Sequence, residues 1–361
     1  MIVIVASVLA GCYMSYYPFE WGEQVGPRYQ PMHLQTLLRL QLARQRAPLE
    51  HESEQRWVVA KSHSYMGLCN RMMNSVSCLA FAIVTGRRLW IDWDALPVSR
   101  INEKEVMGVD SYDSLFSSEL RGPPPSDDLL RNAVLISDCG LRSRLISDSS
   151  FLRPLALAHD LNEAFPFQVV AIRRWDFWGA LILANVLDER HGFGVLFRAI
   201  FTPKNSTAEP EPCTWLLQRR VVWNRFAPPP VSQYVECERA HGMTAADSAS
   251  TWLLTDDNTA HQDLPDGVRL VEPNASHTRG EGGDRASVES MYRMSECKNA
   301  VLTATSTFGA CAAGLAGALA RYEMLADGSC RPLRFTEPID GGEITMLLDQ
   351  IDTGRSRWQQ G

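Results

Sequence analysis

Short apolar runs separated by polar turns recur along the first half of the chain. The runs with the length of strands are Trp57–Ala60, Leu89–Asp92, Val134–Asp138 and Val169–Ile172. Longer stretches in which apolar residues recur at helical spacing are Met72–Val84, Trp178–Val186 and Gly194–Phe201. Short strands that alternate with helices are typical of an α/β domain built on a parallel sheet.

The same alternation returns in the second half of the chain, after the short junction Phe201-Thr202-Pro203. The strand candidates here are Trp215–Gln218, Trp252–Thr255, Val268–Val271 and Ala300–Thr303. We therefore predict an α/β fold with two Rossmann-like, doubly wound domains facing a cleft, over residues 55–200 and 201–345. A last helix over Glu343–Ile351 is predicted to cross back onto the first domain, and residues 346–361 are a tail.

The amino-terminal segment has a different character. No charged side chain occurs from Ile2 to Phe19. That length is near the lower limit of about 17 residues for a helix that spans a bilayer. We predict that residues 1–19 are an uncleaved membrane anchor, with a cleaved signal peptide as the alternative. Residues 20–54, which include a helical stretch from His33 to Arg46, are interpreted as a stem.

Composition narrows the class of protein. The chain has 361 residues, 45% of them hydrophobic, and a net charge of −7 at pH 7. The hydrophobic share is ordinary for a globular protein, and the negative charge argues against a nucleic-acid partner.

Nine cysteines and two glycosylation sequons add information about the compartment. We predict that Cys69, Cys78 and Cys311 are buried free thiols, because their surroundings are apolar and helical. The better disulfide candidates, with pairing left open, are Cys213, Cys237, Cys297 and Cys330, whereas Cys139 fits either state. Sequons at Asn205 and Asn274 agree with a lumenal location.

A strand, a turn with glycine, a helix and a second strand occur around Gly67-Leu68-Cys69-Asn70-Arg71. Such a βαβ unit presents free backbone N–H groups at the start of its helix, where anionic or polyhydroxyl ligands bind. We predict that Asn70 caps this helix with its side-chain oxygen and that Arg71 points toward the strand ends.

These residues also carry a family resemblance. Gly-Leu-Cys-Asn-Arg at 67–71, with Arg-Arg-Leu-Trp-Ile-Asp at 87–92, resembles the first signature block of eukaryotic fucosyltransferases, and the plant xyloglucan type is nearest. The later segment Val301–Gly317 resembles that family's Ser-Thr-Phe-Gly block and its Gly-Leu-x-Gly. The resemblance spans about residues 55–345.

The resemblance implies the glycosyltransferase arrangement called GT-B and a GDP-fucose-dependent activity. Such an enzyme transfers L-fucose from GDP-fucose to a glycan acceptor with inversion, which gives an α-fucoside. With the predicted anchor and the sequons, we expect a single-pass type II protein of the Golgi membrane with a lumenal catalytic domain. We expect no metal and no cofactor, a nucleotide sugar and a glycan as partners, and we leave a homodimer open.

Candidate site residues follow from the same match. At Gln218-Arg219-Arg220 the family carries an arginine that binds the donor diphosphate, which makes Arg220 the key residue here. The further donor-site candidates from this match are Asn70, Arg71, Gln218, Ser306, Thr307 and Phe308. Asp256 is a separate candidate, because it follows a predicted strand, where a carboxylate can accept hydrogen bonds from guanine or ribose. Hydroxyl and N–H groups at the start of a helix after a buried strand suit a phosphate.

Two departures from the family pattern bear on activity. Cys69 replaces the second glycine of the family's turn, and Val221-Val222 stand where many relatives have Gly-Asp. The alternative function is therefore a catalytically silent carbohydrate- or nucleotide-binding relative of the same fold. A dinucleotide-dependent oxidoreductase is disfavoured, because no Gly-x-Gly-x-x-Gly turn follows a strand.

Overall fold

The computed structural model describes residues 32–48, 54–61, 67–93, 99–101, 104–106, 111–137, 148–157, 159–174, 178–187, 192–204, 213–221, 227–242, 250–255, 257, 264–271, 283–304, 306–316 and 320–332. The predictions for residues 1–31, for both sequons, for Cys139 and for the helix at 343–351 lie outside these residues.

The first domain is built on a four-stranded parallel sheet with the strand order β2-β1-β7-β6. Its strands and the short strand of the junction are β1 (Trp57–Lys61), β2 (Arg88–Asp92), β3 (Ser99–Ile101), β4 (Lys104–Val106), β5 (Phe116–Ser117), β6 (Val134–Ser137), β7 (Val169–Arg173) and β8 (Thr202–Pro203). In register, Val58 lies opposite Leu89 on one side and Val170 on the other. The short strands β3 and β4 pair antiparallel, as do β5 and β8.

The helices of the first domain are α1 (Met32–Arg46), α2 (Leu68–Thr85), α3 (Tyr112–Leu115), α4 (Asp127–Arg131), α5 (Asp148–Ala156), α6 (Leu161–Ala164), α7 (Gly179–Asn185) and α8 (Phe193–Ile200), with a 3₁₀ turn at Glu119–Arg121. Helix α2 ends where predicted, because Gly86 adopts the left-handed conformation, with φ of 65°, and its N–H bonds the carbonyl of Ala82.

The second domain has a six-stranded sheet in the order β11-β10-β9-β12-β13-β14. Its strands are β9 (Trp215–Arg219), β10 (Thr251–Thr255), β11 (Val268–Leu270), β12 (Asn299–Thr303), β13 (Ala320–Met324) and β14 (Cys330–Pro332). Only β14 runs antiparallel to its neighbour among these strands. The helices are α9 (Val231–Ala240), α10 (Gly283–Met294) and α11 (Thr307–Ala316). The predicted α/β fold with two parallel sheets is confirmed.

Side-chain alternation along the strands divides the apolar interior into layers. Val58 of β1 and Leu216 of β9 belong to one continuous core that both domains share, lined by α2, α8, α10 and α11. Trp57 and Leu217, one position away, pack in separate outer clusters, the latter against α9. Successive residues of a strand point to opposite faces, so even-numbered positions of β9 face the shared core.

Helix α1 differs from the predicted stem because it packs on the first domain. Gln41 Nε2 donates to the carbonyl of Arg87 at 2.9 Å. Gln45 Nε2 donates to the carbonyls of Leu89 and Leu120, at 3.1 and 2.7 Å. The polar side chains of α1 therefore bond buried backbone carbonyls. A sequence pattern cannot distinguish such side chains from polar side chains that face solvent.

The cysteine predictions are confirmed where the structure describes them. Disulfides join Cys213 to Cys297 and Cys237 to Cys330, which also settles the pairing. Cys69, Cys78 and Cys311 are free and buried, as expected.

One described helix, α2, has the length and hydropathy of a membrane span, but 89% of it is buried inside the protein. This is the pattern of the central helix of a packed domain.

Candidate functional site

The second sheet contains a point at which the strand order reverses. After β9 the chain continues to β10 on one side, whereas after β12 it continues to β13 on the other side. Ligands of open α/β sheets bind outside the carboxyl ends of the strands at such a switch point. Arg220 directly follows β9 and Thr303 ends β12, so both residues lie at this position.

The two adjacent arginines at the end of β9 have different surroundings. Arg219 Nη1 lies 2.7 Å from Asp257 Oδ2, and Arg219 Nε donates to the carbonyl of Pro229 at 2.8 Å. Strand alternation directs Arg220 to the opposite face of the sheet from Arg219, toward the core that the domains share. Its positive charge lowers the pKa of the Cys69 thiol in α2. Arg219 is therefore engaged within the second domain, whereas Arg220 faces the first.

The hydroxyl of Thr303 fixes the backbone at Arg220. Thr303 Oγ1 donates to the carbonyl of Gln218 and accepts from the N–H of Arg220, each at 2.8 Å. Tyr234 Oη also lies 2.8 Å from Thr303 Oγ1. Because a hydroxyl has one hydrogen and two lone pairs, Tyr234 must be the donor in this contact. Burial raises the pKa of Tyr234 to about 12, so the phenol keeps that proton at neutral pH.

The turn from β12 into α11 is held by several polar contacts. Ser306 Oγ accepts from the N–H of Gly309 at 3.3 Å and so caps the start of α11. Gln218 Oε1 accepts from the N–H of Thr303 at 3.3 Å. A Cβ at Gly309 would lie 2.9 Å from Gln218 Oε1, so glycine permits the close approach of α11 to β9. Gln218 is thus buried and supports this turn.

The start of α2 differs from the sequence prediction. Gly67 occupies the N-cap position and Leu68 is the first helical residue, so Asn70 lies within the first turn and the predicted Asn70 cap is wrong. Asn70 Oδ1 is buried and has no hydrogen-bond partner among the residues that the structure describes. Arg71 is only 2% exposed, and its guanidinium carbon lies 5.0 Å from the centre of the Trp93 ring.

The two signature segments meet between the domains. Cys311 Sγ of α11 donates to the carbonyl oxygen of Cys69 in α2 at 3.8 Å. Burial raises the pKa of the Cys69 thiol well above its ordinary range, and the neighbouring Cys311 side chain raises this pKa further. The positive charges of Arg220 and Arg71 act in the opposite direction. Both arginines therefore lie near the same thiol.

The structure describes only some of the remaining predicted site residues. Phe308 is buried in the core that the two domains share. Thr307 is the first residue of α11, but its side chain lies outside the described part of the chain, as does all of Asp256.

Sequence reasoning missed Tyr234 and the supporting role of Thr303. A hydroxyl residue at the end of a strand candidate was a usable signal for Thr303. Nothing in the sequence around Tyr234 indicated that its helix would return to the end of β12.

Comparison with known proteins gives a shared fold. No protein-family model and no curated protein matches the chain. The structure of an arginine-to-lysine mutant of Arabidopsis thaliana FUT1 in complex with GDP superposes with a TM-score of 0.55 at 16% sequence identity. The match covers 90% of this chain and 87% of that one, and at this identity it shows the fold alone.

Two structures of the fucosyltransferase NodZ are similar over a smaller part of the chain. The structure of NodZ from Bradyrhizobium has a TM-score of 0.45, and that of NodZ, an α-1,6-fucosyltransferase, soaked with GDP-fucose has 0.44. Each is 16% identical and covers 78% of this chain and 100% of its own. Because their TM-scores are below 0.5, we draw no conclusion about the fold or the function of this chain from these two superpositions.

Proposed function

We propose that this protein is a glycosyltransferase that transfers L-fucose from GDP-fucose to a glycan acceptor, with inversion and formation of an α-fucoside. The two fucosyltransferase-like segments of the sequence support the proposal. So does the shared fold with FUT1, which was solved with GDP.

The position of Arg220 is the observation that carries the proposal. Its backbone is held by Thr303 at the switch point of the second sheet, and its side chain faces the first domain. Helix α11 begins at Thr307, four residues after Thr303, and the positive dipole end of a helix start favours a phosphate. A guanidinium and a helix start in this relation suit a diphosphate.

These groups would act on the leaving group. As the bond between fucose and GDP breaks, negative charge grows on the diphosphate, and preorganised donors stabilise that charge in the transition state. Arg220 supplies a fixed positive charge, and the first turn of α11 supplies backbone donors. The acceptor hydroxyl then attacks the sugar from the opposite face, which inverts the anomeric centre.

In this scheme the acceptor glycan binds to the first domain. Lys61 Nζ and Asp92 Oδ2, at the carboxyl ends of β1 and β2, form an ion pair of 2.8 Å. Because Asp92 is already engaged by Lys61, we assign it a structural role and name no catalytic base. Fucose ionises readily, so departure of GDP can carry much of the barrier.

We also propose a lumenal catalytic domain in the Golgi, anchored through the amino-terminal segment. Two disulfides in the second domain support an oxidising compartment.

Comparison of the two neighbouring arginines tests the proposal. Purified chain is assayed for hydrolysis and transfer with GDP-fucose and with UDP-sugars, and GDP binding is measured by calorimetry. We expect turnover with GDP-fucose, and a loss of about 10²–10³-fold in Arg220→Ala, the usual cost of removing one such stabilising group.

Arg219→Ala is the matched control, because it removes an adjacent guanidinium and its ion pair with Asp257. It should bind GDP within a few-fold of the wild type. Equal GDP binding by wild type and Arg220→Ala would overturn the proposed role. Binding of GDP by the wild type without turnover on any acceptor glycan would instead support the silent relative.

A further inference from the structure

Two buried thiols touch across the boundary between the domains. Cys69 in the first turn of α2 is 3% exposed, and Cys311 in α11 is fully buried. They are 242 residues apart in sequence, yet Cys311 Sγ donates to the carbonyl oxygen of Cys69 at 3.8 Å. Neither cysteine belongs to a disulfide in this structure.

The other described cysteines differ from this pair. Cys213–Cys297 and Cys237–Cys330 are disulfides whose members both belong to the second domain. Cys78, the third free cysteine, lies on α2 with its sulfur 4.0 Å from Asn74 Oδ1. Among the described residues, therefore, Cys69 and Cys311 are the free thiols already placed to react with each other.

We propose that Cys69 and Cys311 form a reversible disulfide that links the two domains covalently. The chemistry is thiol–disulfide exchange with a small oxidised thiol such as glutathione disulfide. One cysteine thiolate attacks that disulfide, forms a mixed disulfide and releases one reduced thiol. The second cysteine displaces the other, so one protein disulfide and two small thiols result.

Burial sets the conditions for this exchange. An oxidant cannot reach either sulfur while α2 and α11 are in contact, so the first step occurs when the helices separate. The second step occurs when they close again, because the two sulfurs must then approach to bonding distance, about 2.05 Å. The bond consequently holds the closed contact.

The consequence for activity rests on the proposed function. The bond would join the segment that contains Asn70 and Arg71 to the helix that Ser306 caps, with Arg220 close by. A donor that enters between these segments needs them to separate, so the oxidised form should neither admit GDP-fucose nor release GDP. Reduction should restore exchange.

Peptide mapping of the full chain tests the bond itself. The protein is equilibrated in glutathione buffers from reducing to oxidising and digested under non-reducing conditions for mass spectrometry. We expect a linked Cys69–Cys311 peptide that increases with the oxidised share, at potentials where Cys213–Cys297 is already fully formed. Detection of Cys69 and Cys311 as free thiols in every such buffer would overturn the proposal.

Variants make the assignment specific. Cys69→Ser and Cys311→Ser should each abolish the linked peptide, and Cys78→Ser should preserve it. Cys69→Ala and Cys311→Ala replace the serine variants if the hydroxyl impairs folding, as judged by the melting temperature. A linked peptide that persists in a folded Cys69 variant would refute this pairing.

GDP binding gives the functional measurement. Oxidation should lower the rate of GDP association at least tenfold in the wild type and leave the Cys69→Ser variant unchanged. If protein in which the Cys69–Cys311 bond has been mapped bound GDP at an unchanged rate, the proposal that the bond controls access of the nucleotide would be overturned. Because mapping requires no activity, failure of the fucosyltransferase assay and failure of this proposal are distinguishable.

Discussion

The first domain packs its apolar residues around α2, in the core that it shares with the second domain, whereas the second domain carries both disulfides found in the described residues. In the first, Phe81 packs edge-on against Phe165 and Trp178, with ring centres 5.4 and 6.2 Å apart. In the second, the end of β9 and the turn into α11 are held by hydrogen bonds through Thr303 and Gln218.

The start of α2 and the switch point of the second sheet also differ in burial. Every residue from Leu68 to Asn74 is buried, and Arg71 lies against Trp93. At the switch point of the second sheet, Arg220 and Ser306 are half-buried. The sheet edge that we propose as the binding site of a charged ligand cannot be filled with apolar side chains. The domain that carries it is also stabilised by disulfides and polar contacts.

The largest expected effect comes from removing one of these links. The double variant Cys213→Ala/Cys297→Ala opens a loop of 84 residues, which corresponds to about 4–5 kcal/mol of unfolding free energy. Hydrogen exchange should show loss of protection in β9 and β12 before any loss in β1 and β7.

Phe81→Ala provides the opposite case. It leaves a cavity in the first domain, and a buried phenylalanine removed in this way costs about 3–5 kcal/mol. Its loss of protection should begin in β1 and β7. If either variant lowered protection equally in both sheets, the domains would unfold as one unit and the comparison would fail.

A smaller effect is expected from Thr303→Val. The substitution keeps the shape but removes the hydroxyl that bonds Arg220, Gln218 and Tyr234, and the unmet buried groups should cost about 2–3 kcal/mol. Displacement of Arg220 should also weaken GDP binding about tenfold, measured by calorimetry.

Thr303→Ser is the control because it restores the hydroxyl and removes only a methyl group. Its GDP affinity should return to within a few-fold of the wild type. Normal affinity in a folded Thr303→Val variant would show that the hydroxyl does not position Arg220.

The smallest effect concerns pH. Burial raises the pKa of Tyr234 to about 12 from an unfolded value of about 10. The unfolded chain therefore loses this proton first as pH rises, so the stabilisation present below pH 10 is lost between about pH 10 and 12. At pH 11 the loss in unfolding free energy is about 1–2 kcal/mol. Denaturant unfolding at several pH values should therefore show a steeper fall in stability for the wild type than for Tyr234→Phe. Parallel curves for the two proteins would contradict the buried phenol.

The sequence predicted the sheets because their strands are short apolar runs with clear ends. Each of the eight strand candidates lies on a strand of the structure. Helix α1 was interpreted as part of a stem because a turn-rich segment precedes it and a polar run follows it. A sequence pattern cannot show that Gln41 and Gln45 donate to buried carbonyls of the first domain.

The site was predicted less completely, for a related reason. Arg220 was chosen over Arg219 through the family resemblance, although strand alternation also separates them. The pairing of the disulfides, the contact of Cys69 with Cys311 and the return of Tyr234 to Thr303 depend on how distant elements pack. Those distances are not encoded in any local pattern.

The position of α1 has a consequence for self-association. Strand β2 is the outer strand of its sheet, and its carbonyls at Leu89 and Ile91 accept from Gln45 and from Arg121 Nε, at 3.1 and 3.2 Å. An uncovered outer strand is a template for pairing with another chain. A shortened chain that starts at β1 would lose one of these two covers and become prone to aggregate.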